Sequence, residues 1–68
     1  MTSGGETIVL ILKKLRLSKK WSQMELSRRS GVSQSFINDL EAGTKQPTLT
    51  TLNKLANALE VQVTDLLD

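Results

Sequence analysis

Apolar residues recur at the spacing of an α-helix along most of the chain. Ile8, Leu12 and Leu15 lie four and three residues apart, which predicts a first helix that ends near residues 17–20. Two later apolar series predict a fourth helix and a short fifth helix. Their members are Leu49, Leu52, Leu55, Ala56 and Leu59, followed by Val61, Val63, Leu66 and Leu67.

Residues 22–31 carry the signals of a short second helix. Ser22 and Glu25 have the spacing of a capping box, in which the Ser22 hydroxyl accepts from the Glu25 amide and the Glu25 carboxylate bonds back to Ser22. Trp21 and Leu26 form the matching hydrophobic staple. Gly31 ends the helix, because the position after a helix often needs a positive φ.

The same signals return at once in a third helix, which Ser33 caps and Gly43 ends. Residues 31–33 join the two short helices, and a turn of about three residues with a glycine is typical of a helix-turn-helix. The pattern therefore predicts an all-α, compact five-helix bundle over residues 7–68, with the helix-turn-helix at 23–42. Residues 1–6 are predicted to form a flexible N-terminal tail.

Composition excludes most catalytic chemistry. The 68 residues include no cysteine and no histidine, so disulfides, thiol nucleophiles, imidazole bases and the usual zinc ligands are all missing. We therefore expect a protein that is not an enzyme and uses no metal, no cofactor and no small-molecule substrate. The longest apolar run, Ile8–Leu12, is too short to span a bilayer. We expect no membrane association and a cytoplasmic location.

Charge is distributed unevenly along the chain. Residues 1–38 contain seven basic and two acidic side chains, whereas residues 39–68 contain two basic and five acidic ones. A basic half is the footprint of a protein that binds a polyanion such as nucleic acid. A solvated surface would carry the same pattern, so charge alone does not decide.

Two segments carry a family resemblance: WSQMELSRRSGVSQSFINDLEAG at 21–43 and PTLTTLNKLANAL at 47–59. They resemble the lambda-repressor-like (Cro/Xre) helix-turn-helix transcriptional regulators. The resemblance implies double-stranded DNA as partner, with a recognition helix at about 34–42 in the major groove. It implies a repressor that acts as a homodimer on a pseudo-palindromic operator. Glu60 stands where the family commonly has glycine, and Gln62 where a serine cap is common.

The recognition helix should present one polar face. At 100° per residue, Ile37 and Leu40 point into the bundle, and the residues expected to contact bases lie outside: Gln34, Ser35, Asn38 and Asp39. The resemblance supports the first two and Asp39 as base contacts. The alternative is that these are ordinary first-turn and solvated residues. Phe36 lies between core and groove, and it either closes the edge of the bundle or touches a thymine methyl.

Phosphate contacts are expected on both sides of this helix. The N-terminal amides of the second helix favour phosphate binding at Ser22 and Gln23. The resemblance implies the same role for Gln23. After the recognition helix, Thr44, Lys45 and Gln46 are expected to contact a second stretch of backbone. The resemblance also implies a partly buried salt bridge between Arg16 and Glu41.

The sequence leaves two questions about partners open. A homodimer needs an apolar patch, for which the candidates are Val61, Val63, Leu66 and Leu67, with Val9 and Leu10 as a second possibility. These side chains are alternatively needed to close the core of so small a domain. The competing function is a protein-interaction module of the same fold, such as the antitoxin of a toxin–antitoxin pair.

Overall fold

The computed structural model describes residues 4–67, with side chains from residue 11 onward. It contains five helices: α1 (Gly4–Ser18), α2 (Gln23–Ser30), α3 (Gln34–Ala42), α4 (Leu49–Leu59) and α5 (Val63–Leu67). Within this part of the chain there is no strand, and the predicted all-α fold is confirmed.

The predicted N-terminal tail overlaps the first helix. α1 begins at Gly4, so residues 4–6 are helical, whereas residues 1–3 lie outside the described residues. Gly4 and Gly5 had indicated a tail there, because glycine disfavours the helical conformation.

A single apolar core joins all five helices. α3 packs between α1 and α2, α2 also packs on α4, and α5 fills the space between α1 and α4. Its largest fully buried side chains are Leu12, Leu26, Ile37, Leu40, Leu55, Leu59 and Leu66. Because α3 buries Ile37 and Leu40, its opposite face is directed away from the bundle.

The predicted serine and glycine signals bound the two short helices. Ser22 Oγ accepts from Glu25 N at 3.0 Å, and Ser33 Oγ accepts from Phe36 N at 3.1 Å. Gly31 and Gly43 have φ values of 78° and 79°, a region that glycine enters at little cost. The second half of the predicted capping box is wrong, because the Glu25 carboxylate accepts from Arg28 and Arg29 instead.

Two other residues with side chains adopt the left-handed conformation. Glu60, at the end of α4, has a φ of 60°, a conformation that favours glycine, which is common at this position in the family that the chain resembles. Lys20, after α1, also has a φ of 60°, which nothing in the sequence indicated. The Gln62 side chain does not cap α5. The backbone N–H of Gln62 instead donates to Asp65 Oδ2 at 2.9 Å, so a carboxylate in the first turn of α5 bonds back to the residue before the helix.

A buried ion pair links the first and third helices. Arg16 donates from Nε to Glu41 Oε2 at 2.7 Å and from Nη2 to Oε1 at 2.9 Å, a geometry with two parallel bonds. The two side chains are only 9% and 5% exposed. Arg16 Nη1 also donates to the Trp21 carbonyl at 2.7 Å, immediately before α2. One side chain therefore connects three successive helices.

The charge state of Glu41 follows from competing effects. Burial alone raises the pKa of its carboxyl, but hydrogen bonds from Arg16 and Gln23, together with the positive charges of Arg16 and Lys13, outweigh it. The net result is a pKa below the ordinary value for glutamate. The ion pair is therefore intact at neutral pH.

Glu60→Gly is expected to raise the free energy of unfolding by about 1 kcal/mol, because the left-handed conformation costs an L-residue about that much. Urea unfolding at neutral pH measures the change. Lys54→Gly, at an exposed position inside α4, is the matched control and should lower stability by about 1 kcal/mol. A loss of stability in both variants would contradict the strain assigned to Glu60.

Arg16→Ala is expected to remove most of the stability of the domain. Removing one partner of a buried ion pair costs about 3–5 kcal/mol, and a chain of this length has only about 3–10 kcal/mol in total. Thermal melting followed by circular dichroism should show a large fall in the midpoint. Lys14→Ala, at an exposed position of the same helix, should melt like the native chain. Equal midpoints for the two variants would contradict the prediction.

Acid should weaken the fold through Glu41. Because its folded-state pKa is lowered, its contribution is complete above the unfolded value of about 4.3 and is lost as pH falls through the folded-state value. Urea unfolding from about pH 7 to about pH 3 measures this loss. The variant Arg16→Met/Glu41→Leu keeps apolar packing at the site and should lose less stability over the same range. Parallel pH profiles would contradict the assignment.

Candidate DNA-binding surface

The outer face of α3 presents the side chains expected to contact bases. Gln34, Ser35 and Asn38 are exposed, and Asp39 is partly exposed, whereas Ile37 on the opposite side is completely buried. Three of these four polar residues lie in the first five positions of the helix, the part that enters the major groove in a helix-turn-helix. The structure therefore brings the four candidate residues together on one surface.

The residues expected to contact phosphate at the start of α2 are Ser22 and Gln23, and one of them also bonds to α3. Ser22 is exposed, and its hydroxyl accepts from the Glu25 amide, so the hydroxyl hydrogen stays available to an acceptor. Gln23 is half-buried, and its Nε2 donates to Glu41 Oε1 at 3.1 Å. The sequence did not indicate this bond between α2 and α3.

The loop after α3 holds its predicted residues in two different situations. Thr44 donates from both N and Oγ1 to the Asp39 carbonyl, at 3.0 and 3.2 Å, so in this structure it closes the end of α3 instead of offering a donor to phosphate. Lys45 and Gln46 are exposed and do not close the end of α3 in this way. The Lys45 ammonium lies beside the Asp39 carboxylate. Of the three predicted phosphate contacts in this loop, Lys45 and Gln46 fit best.

Asp39 is next to a positive charge. Lys45 Nζ lies 3.5 Å from Asp39 Oδ2 and 5.8 Å from the centre of the Phe36 ring. The lysine offsets the repulsion that a lone carboxylate would meet near phosphates. Phe36 itself is partly buried against the core, which agrees with the alternative that it closes the edge of the bundle.

The sequence did not single out a cluster of charges on α2. Glu25 accepts from Arg28 and Arg29, and these hydrogen bonds lower the pKa of its carboxyl. The Arg29 guanidinium also lies 4.4 Å from the centre of the Trp21 ring, with Lys19 Nζ at 5.4 Å. The spacing of three and four residues between Glu25 and the arginines was the available signal.

The candidate dimer patch is smaller than predicted. Leu66 is only 1% exposed, because α5 inserts it into the core of its own chain, so its inclusion was wrong. Val61 and Val63 are partly buried against that core, and Leu67 is 47% exposed. The side chains of Val9 and Leu10 lie outside the described residues.

The described residues form neither a membrane-spanning helix nor a group of metal ligands. None of the helices described over residues 4–67 is both long and apolar enough to cross a membrane. The described acidic side chains form no group of three or more that could hold a metal ion.

Known proteins resemble this chain in sequence. It is 43% identical over 63 residues to the uncharacterized HTH-type transcriptional regulator y4dL of Sinorhizobium fredii. The aligned segment covers 93% of this chain and 32% of that protein. It is 38% identical over 58 residues to the control protein C.BamHI of Bacillus amyloliquefaciens, covering 84% of this chain and 72% of that one. The chain thus spans about a third of one relative and most of the other.

A solved structure and a family profile agree with these relatives. The restriction-modification controller protein C.AhdI of Aeromonas hydrophila matches with a TM-score of 0.85 and 32% identity, over 88% of this chain and 91% of that one. Residues 12–66 match the profile of the helix-turn-helix family HTH_3. The resemblance to Cro/Xre-type regulators is therefore confirmed, and the chain belongs to the helix-turn-helix family HTH_3.

Proposed function

We propose that this chain regulates transcription by binding a specific sequence of double-stranded DNA, with α3 in the major groove. The main support for the proposal is that α3 has two different faces, one apolar and one polar. Its inner face is fixed in the core by Ile37 and Leu40, and its outer face presents polar side chains at the N-terminal end. A helix held in this way can enter the groove without unfolding any part of the domain.

Each polar residue of α3 has a base that suits it. The amide of Gln34 or Asn38 can form two bonds to adenine N6 and N7, and the Ser35 hydroxyl can contact several bases. The Asp39 carboxylate can accept from cytosine N4. Its neighbour Lys45 keeps the local charge near zero at a distance of 3.5 Å.

Phosphates on either side of the groove would fix the register of α3. The N-terminal amides of α2 at Ser22 and Gln23 form one contact, since they carry the positive end of the helix dipole. Lys45 and Gln46 form the other from the loop after α3, which Thr44 holds in place. These contacts supply affinity and leave the choice of sequence to α3.

A homodimer on a pseudo-palindromic operator fits the size of this surface. One short recognition helix reads only a few base pairs, and two-fold dimers of this motif place two such helices about one turn of DNA apart. We assign the dimer contact to Val61, Val63 and Leu67. We propose that it is a repressor, which would act by occupying its operator. It would act in the cytoplasm, and it would need neither catalysis nor a cofactor. The absence of cysteine fits a reducing compartment such as the cytoplasm.

Selection of bound sites from random duplexes tests this function, with the native chain beside Gln34→Ala. The native chain should select two inverted half-sites about one helical turn apart. Gln34→Ala should lose the preference at one base pair of each half-site, with affinity for that site falling by about 5- to 150-fold. Asn53→Ala, at an exposed position of α4, is the control and should select the native site.

Salt distinguishes this function from that of a protein-interaction module. The logarithm of the DNA-binding constant should fall with the logarithm of salt concentration, with a slope of about −0.9 for each phosphate contacted. Apolar pairing with a protein would respond little to salt. Equal retention of selected and scrambled duplexes by the native chain would exclude sequence-specific binding and favour the interaction module.

A further inference from the structure

The bond between Gln23 and Glu41 determines which atoms Gln23 presents to its surroundings. A primary amide has one end that donates and one that accepts, and rotation about its last torsion exchanges them at little cost. A carboxylate accepts only, so the end that faces Glu41 must be the Nε2 donor, as observed at 3.1 Å. One N–H of Gln23 is occupied by this bond, and the other stays available to an acceptor.

Glu41 is itself held in a fixed orientation. Arg16 donates to both of its carboxylate oxygens, at 2.7 and 2.9 Å, and the carboxylate side chain is only 5% exposed. The same guanidinium donates to the carbonyl of Trp21, which precedes the capping residue of α2. The ion pair therefore holds both the backbone before α2 and the side chain of its first residue.

We infer that Glu41 is a positioning residue, which orients the Gln23 amide so that its second N–H points to a DNA phosphate. A phosphate oxygen accepts only, so the reverse orientation of the amide would place two acceptors against each other. Without Glu41, both orientations of Gln23 become accessible and the contact weakens. The inference rests on the proposed function, because it needs a phosphate at the start of α2.

A double-mutant cycle in DNA affinity tests the inference. Gln23→Ala is introduced into the native chain and into Arg16→Met/Glu41→Leu, and fluorescence anisotropy measures binding to the duplex that the native chain selects. In the native background the change should weaken binding by about 12- to 160-fold, the range of a hydrogen bond to a charged group. In the second background it should weaken binding less than about twofold.

Gln34→Ala in the same two backgrounds is the matched control. Gln34 has no bond to the ion pair in the described structure, so its substitution should cost the same affinity in both. All chains are compared below their melting temperatures. If Arg16→Met/Glu41→Leu does not fold, Arg16→Leu/Glu41→Met provides the same comparison with different apolar packing.

Three results would overturn the inference. An equal cost of Gln23→Ala in both backgrounds would mean that Glu41 does not act on Gln23. A parallel loss of the Gln34→Ala effect would mean that the ion pair supports the whole surface and not Gln23 in particular. If the native chain prefers no duplex, the proposed function fails, and the inference fails too because it rests on that function. This case is recognised before any variant is compared.

Discussion

The ion pair between Arg16 and Glu41 is the interaction on which the rest of the structure depends. Two charges leave water at this point, and only their parallel hydrogen bonds make that burial tolerable. The pair joins α1 to the end of α3, and through Trp21 and Gln23 it also fixes the start of α2. An apolar contact of equal area would not set the angle between these helices so narrowly, because it lacks direction.

Much of the fold was predictable because helix ends depend on residues close together in the sequence. The rest depended on which of several possible partners a side chain meets in the folded domain. Ser33 and Gly43 act within one helical turn, so their roles were visible in the sequence. Glu25 had two sets of partners, the Ser22 amide and the two arginines, and only the folded arrangement decided between them. Lys20 adopts a glycine-like conformation without being glycine, so no local signal marked it. The face of α3 followed from helical geometry, whereas the expectation that DNA is its ligand came from the resemblance.

Ion pairs within the domain reduce the free positive charge of the basic half of the chain, residues 1–38. Arg16 is neutralised by Glu41, and both arginines of α2 share the carboxylate of Glu25. Most of the unpaired positive charge among the described residues of this half therefore belongs to exposed lysines, among them Lys13, Lys14 and Lys20. Lysine is a compact charge on a flexible stem, suited to following a phosphate backbone without fixed geometry. Arg16 instead serves the architecture of the domain through its buried ion pair.

Trp21 gives this small domain a built-in optical reporter. It is the one tryptophan among the 68 residues, and there is no tyrosine to obscure its emission. Its indole contacts the guanidinium of Arg29, and its carbonyl receives a bond from Arg16. Because cations over the ring and the surrounding polarity both influence indole fluorescence, the native spectrum reports on the helix start nearest to it, and no dye has to be attached to follow events there.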